Sequence, residues 1–273
     1  MDFSLRRSKR QRKAPVLIAI TREVSASIEK CEITHIARQP IDLATAREQH
    51  RQYEQALQRL GCRLIPLPEA PELPDAVFVE DTAVIVDELA VITRPGASSR
   101  QPEIEAVAQT LADYRPLAFI EFPGTLDGGD VLRIAKNLFV GQTPRTNQEG
   151  IRQLQQILAP YGYTVKGVKV SGCLHLKSAV TQVGEMSLLV NPRWIDPNDF
   201  WGFELIEVHP DEPYAANALL LNGQVIFPAE YPLTIERLRQ RGISVIPVAA
   251  GELAKAEGGV TCCSLVFRSF EKG

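Results

Sequence analysis

Two adjacent thiols near the end of the chain are the side chains best suited to covalent chemistry. Cys262 and Cys263 follow a glycine pair at residues 258–259 and precede the apolar run 265–267. This order predicts a tight turn that leads into a last strand, with Cys262 where the strand begins. A thiolate at such a position is a nucleophile, whereas a neutral thiol packs as a small apolar group. The stretch alone leaves both roles open.

A histidine and a glycine-rich turn upstream offer partners for a thiol. His175 lies between two leucines, and Asp127 lies in a turn at residues 124–130 that contains three glycines. An imidazole exchanges protons near neutral pH, and a carboxylate can orient it. Taken alone, His175 is expected to be a hydrogen-bonded core histidine. Its combination with a thiol and an acid favours catalysis instead.

Three acids frame a short apolar run. Asp75 precedes residues 76–79 and Glu80 and Asp81 follow them, which predicts a buried strand ending in two adjacent carboxylates. Two such acids repel each other and lose hydration unless a cation binds them. A guanidinium suits this role because it is planar, always charged and matched to carboxylates by paired hydrogen bonds. An exposed turn is the other interpretation of these residues.

A polar segment of irregular pattern follows the first predicted strand. Residues 25–39, called the lid segment below, lie between the strand at 16–20 and a helix that begins after Asp42. A segment of this length beside a binding site is either a mobile lid or an ordinary surface loop. On the helix, His50 falls on the apolar face, where a packed histidine is expected.

The candidate residues belong to a unit that recurs along the chain. In each copy a polar turn precedes a strand, a second strand follows, and then a helix. The copies are marked, at steps of 49, 48, 39 and 46, by Asp81, Asp130, Ser178, Asn217 and Cys263. A period near 45 with strands and a helix predicts a radial α/β repeat in which every unit packs on its neighbours.

The polar turns of such a ring meet at its axis. Side chains far apart in the sequence then share one central pocket: Cys262, His175, Asp127, Glu80 and Asp81. The sequence therefore predicts an α/β fold with five repeats around a central active site.

Composition limits the class of protein. The chain has 273 residues, 45% of them hydrophobic, which suffices for one large domain at residues 16–270. Six basic residues and one acid fall in the first 13 positions, and this run of like charge predicts a disordered basic tail at residues 1–15. The rest carries 24 basic against 32 acidic residues. A folded body of that charge is not expected to bind nucleic acid.

Compartment is the next inference from composition. No apolar run reaches the roughly 18 residues that cross a bilayer, and no charged stretch followed by an apolar block marks a secretion signal. The five cysteines are odd in number and show no CxxC spacing, so neither a disulfide framework nor a structural zinc site is predicted. We expect a cytoplasmic protein with reduced thiols and no membrane contact.

Seven short motifs occur in order between residues 16 and 268. They are Phe78-Val79-Glu80-Asp81, Ile92-Thr93-Arg94-Pro95-Gly96-Ala97, Thr125-Leu126-Asp127-Gly128-Gly129-Asp130, Arg145-Thr146-Asn147, Leu174-His175-Leu176-Lys177-Ser178, Ala215-Ala216-Asn217 and Thr261-Cys262. Together they resemble the dimethylarginine dimethylaminohydrolase family of the guanidino-modifying superfamily. The resemblance implies the five-bladed α/β propeller called the pentein fold. The basic tail at residues 1–15 lies outside the part of the chain that resembles this family, and the lid segment matches the family poorly.

The resemblance also implies residue roles. Cys262 corresponds to the nucleophile, His175 to the general acid and base, and Asp127 to the residue that orients the histidine. The implied substrate-binding residues are Glu80 and Asp81 for the guanidinium, Asp75 for the α-amino group, Arg94 and Arg145 for the α-carboxylate, and Ile28 for a lid position. Cys263 receives no role.

The implied reaction converts Nω-methylated arginine to citrulline and a methylamine through a covalent S-alkylthiouronium on the cysteine. It involves a small-molecule substrate and requires neither a metal nor an organic cofactor. A monomer or a homodimer is expected.

Three other functions remain open at this stage. An arginine deiminase would release ammonia from unmethylated arginine, although this chain is short for the helical insertion that many deiminases carry. An amidinotransferase would use the same covalent intermediate. A non-catalytic protein of this fold, such as the ribosome anti-association factor, has no need for a cysteine, a histidine and carboxylates together.

Overall fold

Five three-stranded sheets make up the fold. The computed structural model describes residues 15–270, so the predicted basic tail lies outside the described residues apart from Pro15. The strands are β1 Val16–Arg22, β2 Cys62–Leu67, β3 Ala83–Ile85, β4 Ala90–Ile92, β5 Leu117–Phe119, β6 Val131–Ile134, β7 Asn137–Gln142, β8 Thr164–Lys169, β9 Val180–Gln182, β10 Ser187–Val190, β11 Glu204–Glu207, β12 Leu219–Leu221, β13 Gln224–Pro228, β14 Val245–Val248 and β15 Leu265–Ser269. The α-helices are α1 Leu43–Arg59, α2 Ile104–Ala112, α3 Gln148–Leu158, α4 Leu176–Ala179, α5 Pro232–Gln240 and α6 Gly251–Ala254.

Every sheet has the same strand arrangement. An inner strand (β3, β6, β9, β12 or β15) pairs antiparallel with a middle strand, which pairs parallel with an outer strand. Parallel neighbours need a crossover, and α1, α2, α3 and α5 supply it in four units. In the unit of β9 to β11, a short 3-10 turn at Pro197–Phe200 takes the place of the helix. The missing helix explains why the repeat step from Ser178 to Asn217 is the shortest.

The first and last described strands close the ring. β1 pairs with β15 from Val16 opposite Ser269 to Ile20 opposite Leu265. Inner strands of adjacent units also contact one another. For example, β15 contacts β3, and β9 contacts both β6 and β12. The predicted five-bladed α/β propeller is confirmed.

The core consists of five apolar clusters, one between each pair of adjacent sheets. Between the second and third sheets, for example, Val91 of β4 and Val140 of β7 pack with Leu154 of α3. Leu154 and Leu158 are four residues apart, so they lie on one face of the helix and are both fully buried. Asn147 caps this helix by accepting a hydrogen bond from the Gly150 N–H at 2.8 Å. The apolar clusters fill the space between the sheets, so the polar turns lie at the ends of the inner strands.

One prediction of local structure is wrong. The strand expected at residues 75–81 is instead a series of turns that ends in the 3-10 helix Val79–Thr82. The turn is stabilised because the Phe78 N–H donates to the Asp75 carbonyl at 2.9 Å and the Thr82 hydroxyl to the Val79 carbonyl at 2.7 Å. Glu80 and Asp81 are therefore consecutive residues of a tight turn, and both are buried. In a strand, by contrast, their side chains would point to opposite faces.

Within residues 15–270, no helix combines the length and the apolar character needed to cross a bilayer.

Candidate active site

A polar turn precedes each inner strand, and hydrogen bonds join consecutive turns around the axis. The five links are Gly129 N–H to Asp81 Oδ1 at 2.8 Å, His175 Nε2 to Asp127 Oδ2 at 3.0 Å, Asn217 Nδ2 to the Lys177 carbonyl at 3.1 Å, Thr261 N–H to Asn217 Oδ1 at 3.0 Å, and Glu80 N–H to the Cys262 carbonyl at 3.1 Å. The structure thus brings together all five residues that the repeat predicted at the axis: Cys262, His175, Asp127, Glu80 and Asp81.

The imidazole of His175 lies among carboxylates. Its Nε2 bonds Asp127, whose other oxygen accepts from the Gly96 N–H at 2.8 Å, and its Nδ1 lies 3.8 Å from Asp81. Burial disfavours the imidazolium, but the acids Asp81, Asp127 and Asp130 outweigh it and raise the pKa of His175 to about 9. At neutral pH the group is therefore a charged acid with one nitrogen held by Asp127.

Asp130 was not predicted as a site residue. It accepts the Leu176 N–H at 2.9 Å and the Thr143 hydroxyl at 2.6 Å, so it holds the first turn of α4, just after His175. Burial raises the pKa of Asp130 to about 6. Its position directly after two glycines in the repeated turn is a signal that could have identified it.

The Cys262 thiol lies at the start of the turn that leads into β15. Its Sγ accepts a hydrogen bond from the Gly259 N–H at 3.3 Å, and no hydrogen bond joins it to His175 in the described part of the chain. Burial, together with the negative charges of Glu80 and Asp81, raises the pKa of Cys262 to about 12. The free protein therefore holds a neutral thiol. Cys263 is buried in the apolar cluster that contains the inward face of α1, and its Sγ lies 3.6 Å from the Gly259 carbonyl oxygen.

Each acid of the pair before β3 has a cation from the protein itself. Lys177 bonds Glu80, whose second oxygen accepts the Thr261 hydroxyl at 2.8 Å. Arg100 bonds Asp81 at 2.6 Å, is only 3% exposed, and holds the pKa of that carboxyl near 2 together with His175, against the effect of burial. Sequence reasoning missed both cations. Both could have been suspected from the motifs. Lys177 belongs to the same motif as His175, and Arg100 follows shortly after the motif that contains Arg94-Pro95-Gly96.

The axis continues beyond the site as a cavity of about 280 Å³. The five inner strands line it, and Glu80, Lys177 and Thr261 stand at the end nearest the site.

Four of the predicted substrate-binding residues, Asp75, Arg94, Arg145 and Ile28, are not among the five residues at the axis and are called the outer group below. Arg145 is 8% exposed and its Nη1 is buried without a hydrogen-bond partner among the described residues, while its Nη2 lies 3.3 Å from the Thr34 hydroxyl. Asp75 accepts the Glu32 N–H of the lid segment at 3.1 Å. The Arg94 guanidinium lies 5.6 Å from the ring centroid of Phe122, which is exposed. Ile28 is fully buried in the apolar cluster that also contains Cys262.

One group of side chains is close enough to hold a metal ion. In the described part of the chain, ligand atoms of Asp81, Asp127 and His175 lie within 4.8 Å of one another. These atoms already bind each other, the Arg100 guanidinium and the N–H groups of Gly96 and Gly129. The hydrogen bonds account for the cluster without a metal.

Proteins of known sequence and structure resemble this chain. The N(G),N(G)-dimethylarginine dimethylaminohydrolase of Pseudomonas aeruginosa is 39% identical over 228 residues, which is 83% of this chain and 90% of the relative. The Streptomyces coelicolor protein of that name is 37% identical over 92% of this chain and 96% of its own length. No protein-family model matches the chain.

Solved structures agree with the sequence comparison. A mutant of the Pseudomonas aeruginosa enzyme complexed with citrulline superposes with a TM-score of 0.88 at 35% identity, covering 92% of this chain and all of the other. The same family's adduct with S-methyl-L-thiocitrulline gives a TM-score of 0.86 at 36% identity, with 91% and 98% covered. The N-terminal domain of the arginine dihydrolase ArgZ, at 17% identity and a TM-score of 0.78, covers 92% and 97% and shares the fold.

Proposed function

The chain belongs to the dimethylarginine dimethylaminohydrolase family, and on that basis we propose that it hydrolyses Nω-methylated arginines to citrulline and dimethylamine or methylamine. The observation that carries the proposal is the meeting of a thiol, a carboxylate-bound imidazole and two buried acids at one end of the ring. A planar cation with several N–H donors is the substrate group that such acids attract.

Cys262 is the nucleophile of the proposed reaction. Its thiol is neutral in the free protein because burial, Glu80 and Asp81 raise its pKa to about 12. A bound guanidinium places a positive charge beside these acids and favours the thiolate, so the thiol releases its proton to the solvent when substrate binds. The thiolate then attacks the guanidinium carbon to give a tetrahedral adduct.

His175 moves the protons. With a pKa of about 9 it is an imidazolium at neutral pH and protonates the departing methylamine nitrogen as the C–N bond breaks, leaving a planar S-alkylthiouronium. The neutral imidazole then takes a proton from the attacking water. As the C–S bond breaks, the hydroxyl proton of this second tetrahedral adduct passes to the cysteine sulfur, so citrulline leaves and the neutral thiol and the imidazolium of the free protein are restored. Asp127 keeps the ring in one orientation throughout.

The outer group binds the amino-acid end of the substrate. The unpartnered Nη1 of Arg145 supports a role in binding the α-carboxylate, since a buried guanidinium donor without an acceptor is costly unless a ligand supplies one. Asp75 is assigned to the α-amino group, Arg94 to the α-carboxylate together with Arg145, and Ile28 to a position within the lid segment. Glu80 and Asp81 are assigned to the guanidinium.

The proposal extends to the whole molecule. Residues 16–270 act as one catalytic domain, because the first and last strands pair in one sheet. We also propose that the protein is cytoplasmic, acts as a monomer or a homodimer, and has no nucleic-acid partner.

Citrulline formation tests the function. The purified protein is incubated with asymmetric dimethylarginine, monomethylarginine and arginine in parallel, and the amine product is identified. We expect citrulline with dimethylamine or methylamine, no product from Cys262→Ala, and most of the activity from the matched variant Cys263→Ala. Citrulline with ammonia from arginine alone would make the protein a deiminase. Equal loss in the two cysteine variants would contradict the assigned nucleophile.

The substrate clamp has its own test. Arg145→Ala should raise the KM for free methylated arginine at least tenfold with a smaller effect on kcat, because the α-carboxylate is remote from the reacting carbon. Arg152→Ala serves as the control, since Arg152 is exposed and its ion pair within residues 15–270 is with Glu149 of its own helix. A KM that Arg145→Ala leaves unchanged would argue that the substrate is not held by its carboxylate.

A further inference from the structure

The lid segment lies across the mouth of the ring and is bound from several sides. Its Glu32 makes two contacts with the unit of β3 to β5: the N–H donates to Asp75 before β3, and the carboxylate accepts the Ser99 hydroxyl at 2.6 Å. Thr34 accepts from Arg145 after β7. A further contact comes from Glu257, which lies five residues before the nucleophile Cys262 and binds residues 34 and 35 of the lid segment. A segment attached at separate units covers the space between them.

Glu257 contacts the lid segment with both oxygens of its carboxylate. Its two carboxylate oxygens accept the backbone N–H groups of Thr34 and His35, each at 2.6 Å. Hydrogen bonds to a carboxylate are stronger than those between neutral groups, and here both oxygens are used. Residues 34 and 35 are thereby joined to the chain segment that carries the nucleophile.

The backbone of Glu257 is unfavourable for this residue type. It has φ of +58° and follows α6, where the Gly258 N–H donates back to the Leu253 carbonyl at 3.0 Å. A left-handed residue at this point of a helix end is normally glycine, because a Cβ there costs free energy. A strained residue near a site points to a function for its side chain.

Two of the anchors differ from Glu257 in one respect, whereas Glu69 and Ser99, like Glu257, have no assigned substrate contact and hold Ala26 and Glu32 nearer the start of the segment. Asp75 and Arg145 hold the lid segment with the same groups that we assign to the substrate's α-amino and carboxylate ends. When substrate binds, these two residues exchange lid contacts for substrate contacts. Glu257 has no such second partner and keeps its contacts with Thr34 and His35.

We propose that Glu257 is a positioning residue that keeps the lid segment closed over the substrate while Asp75 and Arg145 bind it. The inference rests on the proposed function for its kinetic part only. Without Glu257 the closed form is a smaller fraction of the protein, so the apparent affinity falls by that fraction, while closed complexes react at the same rate.

Glu257→Gly separates this role from a structural one. Glycine relieves the strained backbone, so the turn itself is not weakened and the Tm should not fall. We expect KM for methylated arginine to rise about tenfold with kcat within twofold, and the amides of Thr34 and His35 to exchange hydrogen at least tenfold faster. Glu257→Gln keeps a single acceptor oxygen and should deprotect one of the two amides.

Ala135→Gly is the matched control. Ala135 also has a left-handed backbone, with φ of +53°, and lies in the β6–β7 turn away from the lid segment. It should leave KM and both amides unchanged. Wild-type KM and exchange in Glu257→Gly, a loss confined to kcat, or equal effects in the control would each overturn the proposal. If no substrate yields citrulline, amide exchange still decides whether Glu257 holds the lid segment.

Discussion

At the scale of single residues, buried charge is the main feature of the site. Arg100 contacts Asp81 and Glu103 and donates to the Phe78 carbonyl at 3.2 Å, and all three charged residues are 3% exposed or less. Burial raises the pKa of Glu103 to about 7 even with this partner. Removing one member of such a buried group leaves the others uncompensated, which costs far more than the loss of a surface pair.

Arg100→Met should therefore lower the free energy of unfolding by about 3–5 kcal/mol, whereas Arg152→Met, at an exposed pair, should change it by less than about 1 kcal/mol. Urea denaturation followed by circular dichroism measures both. Arg100→Lys keeps the charge but not the planar fork, so an intermediate loss is expected. Equal, small losses for Arg100→Met and Arg152→Met would show that Asp81 does not depend on Arg100.

The raised pKa of Cys262 gives a prediction for pH. Only the thiolate is alkylated, and with a pKa of about 12 its fraction grows tenfold per pH unit throughout the range 7 to 10. The rate of labelling by neutral iodoacetamide should rise in the same proportion in the free protein. Mass spectrometry of the Cys263→Ala variant isolates the Cys262 signal. A plateau below pH 9 would mean that the free protein already stabilises the thiolate.

At the scale of elements, the turn before β6 sets the site geometry. Its 3-10 segment Gly128–Asp130 passes so close to its neighbours that a Cβ on Gly129 would lie 2.5 Å from His175 Nδ1 and 2.7 Å from Asp81 Oδ1. Side chains cannot be accommodated at such distances unless the imidazole or the carboxylate moves. The glycine is thus required by close approach, since its φ is not left-handed.

Gly129→Ala should displace His175 from Asp81 and reduce kcat at least tenfold, because small misplacements of catalytic groups are costly. Gly167→Ala in β8 of the same sheet is the control, as its Cβ would meet only the flexible end of Gln142. Both variants are compared by citrulline formation and by Tm. Normal kcat in Gly129→Ala would show that the turn tolerates movement without consequence for the imidazole.

At the scale of the whole molecule, ring closure decides whether a site exists. Every inner strand brings one polar turn to the axis, and the last turn, with Cys262, is fixed because β15 pairs with β1. The closing pair buries Ile18, Ile20 and Phe267 in the cluster shared with the second sheet. The nucleophile is thus positioned by the strand that comes first in the chain.

A circular permutant tests this closure. Linking residues 270 and 15 and opening the exposed β9–β10 turn at Glu185 should preserve Tm within a few degrees and citrulline formation within about threefold, since paired termini lie close together. Truncation before Leu265, in contrast, should prevent folding. A permutant that cannot fold would show that chain order, and not closure alone, is needed.

The sequence alone determined the repeat, the fold class and the identity of the catalytic candidates, because these depend on residue type and spacing along the chain. The recurrence of a polar turn before a strand suffices to place Cys262, His175 and Asp127 at one axis. The family resemblance added the outer residues Asp75, Arg94, Arg145 and Ile28, whose roles remain predictions.

Tertiary structure decided the rest, because it depends on distances between segments that no local pattern encodes. The sequence predicted a strand at residues 75–81, but long-range hydrogen bonds from Arg100 to carbonyls of that segment favour turns. It left the partner of the two acids open, whereas folding supplies Lys177 from 97 residues away. The contact between Glu257 and the lid segment spans more than 220 residues and follows only from closure of the ring.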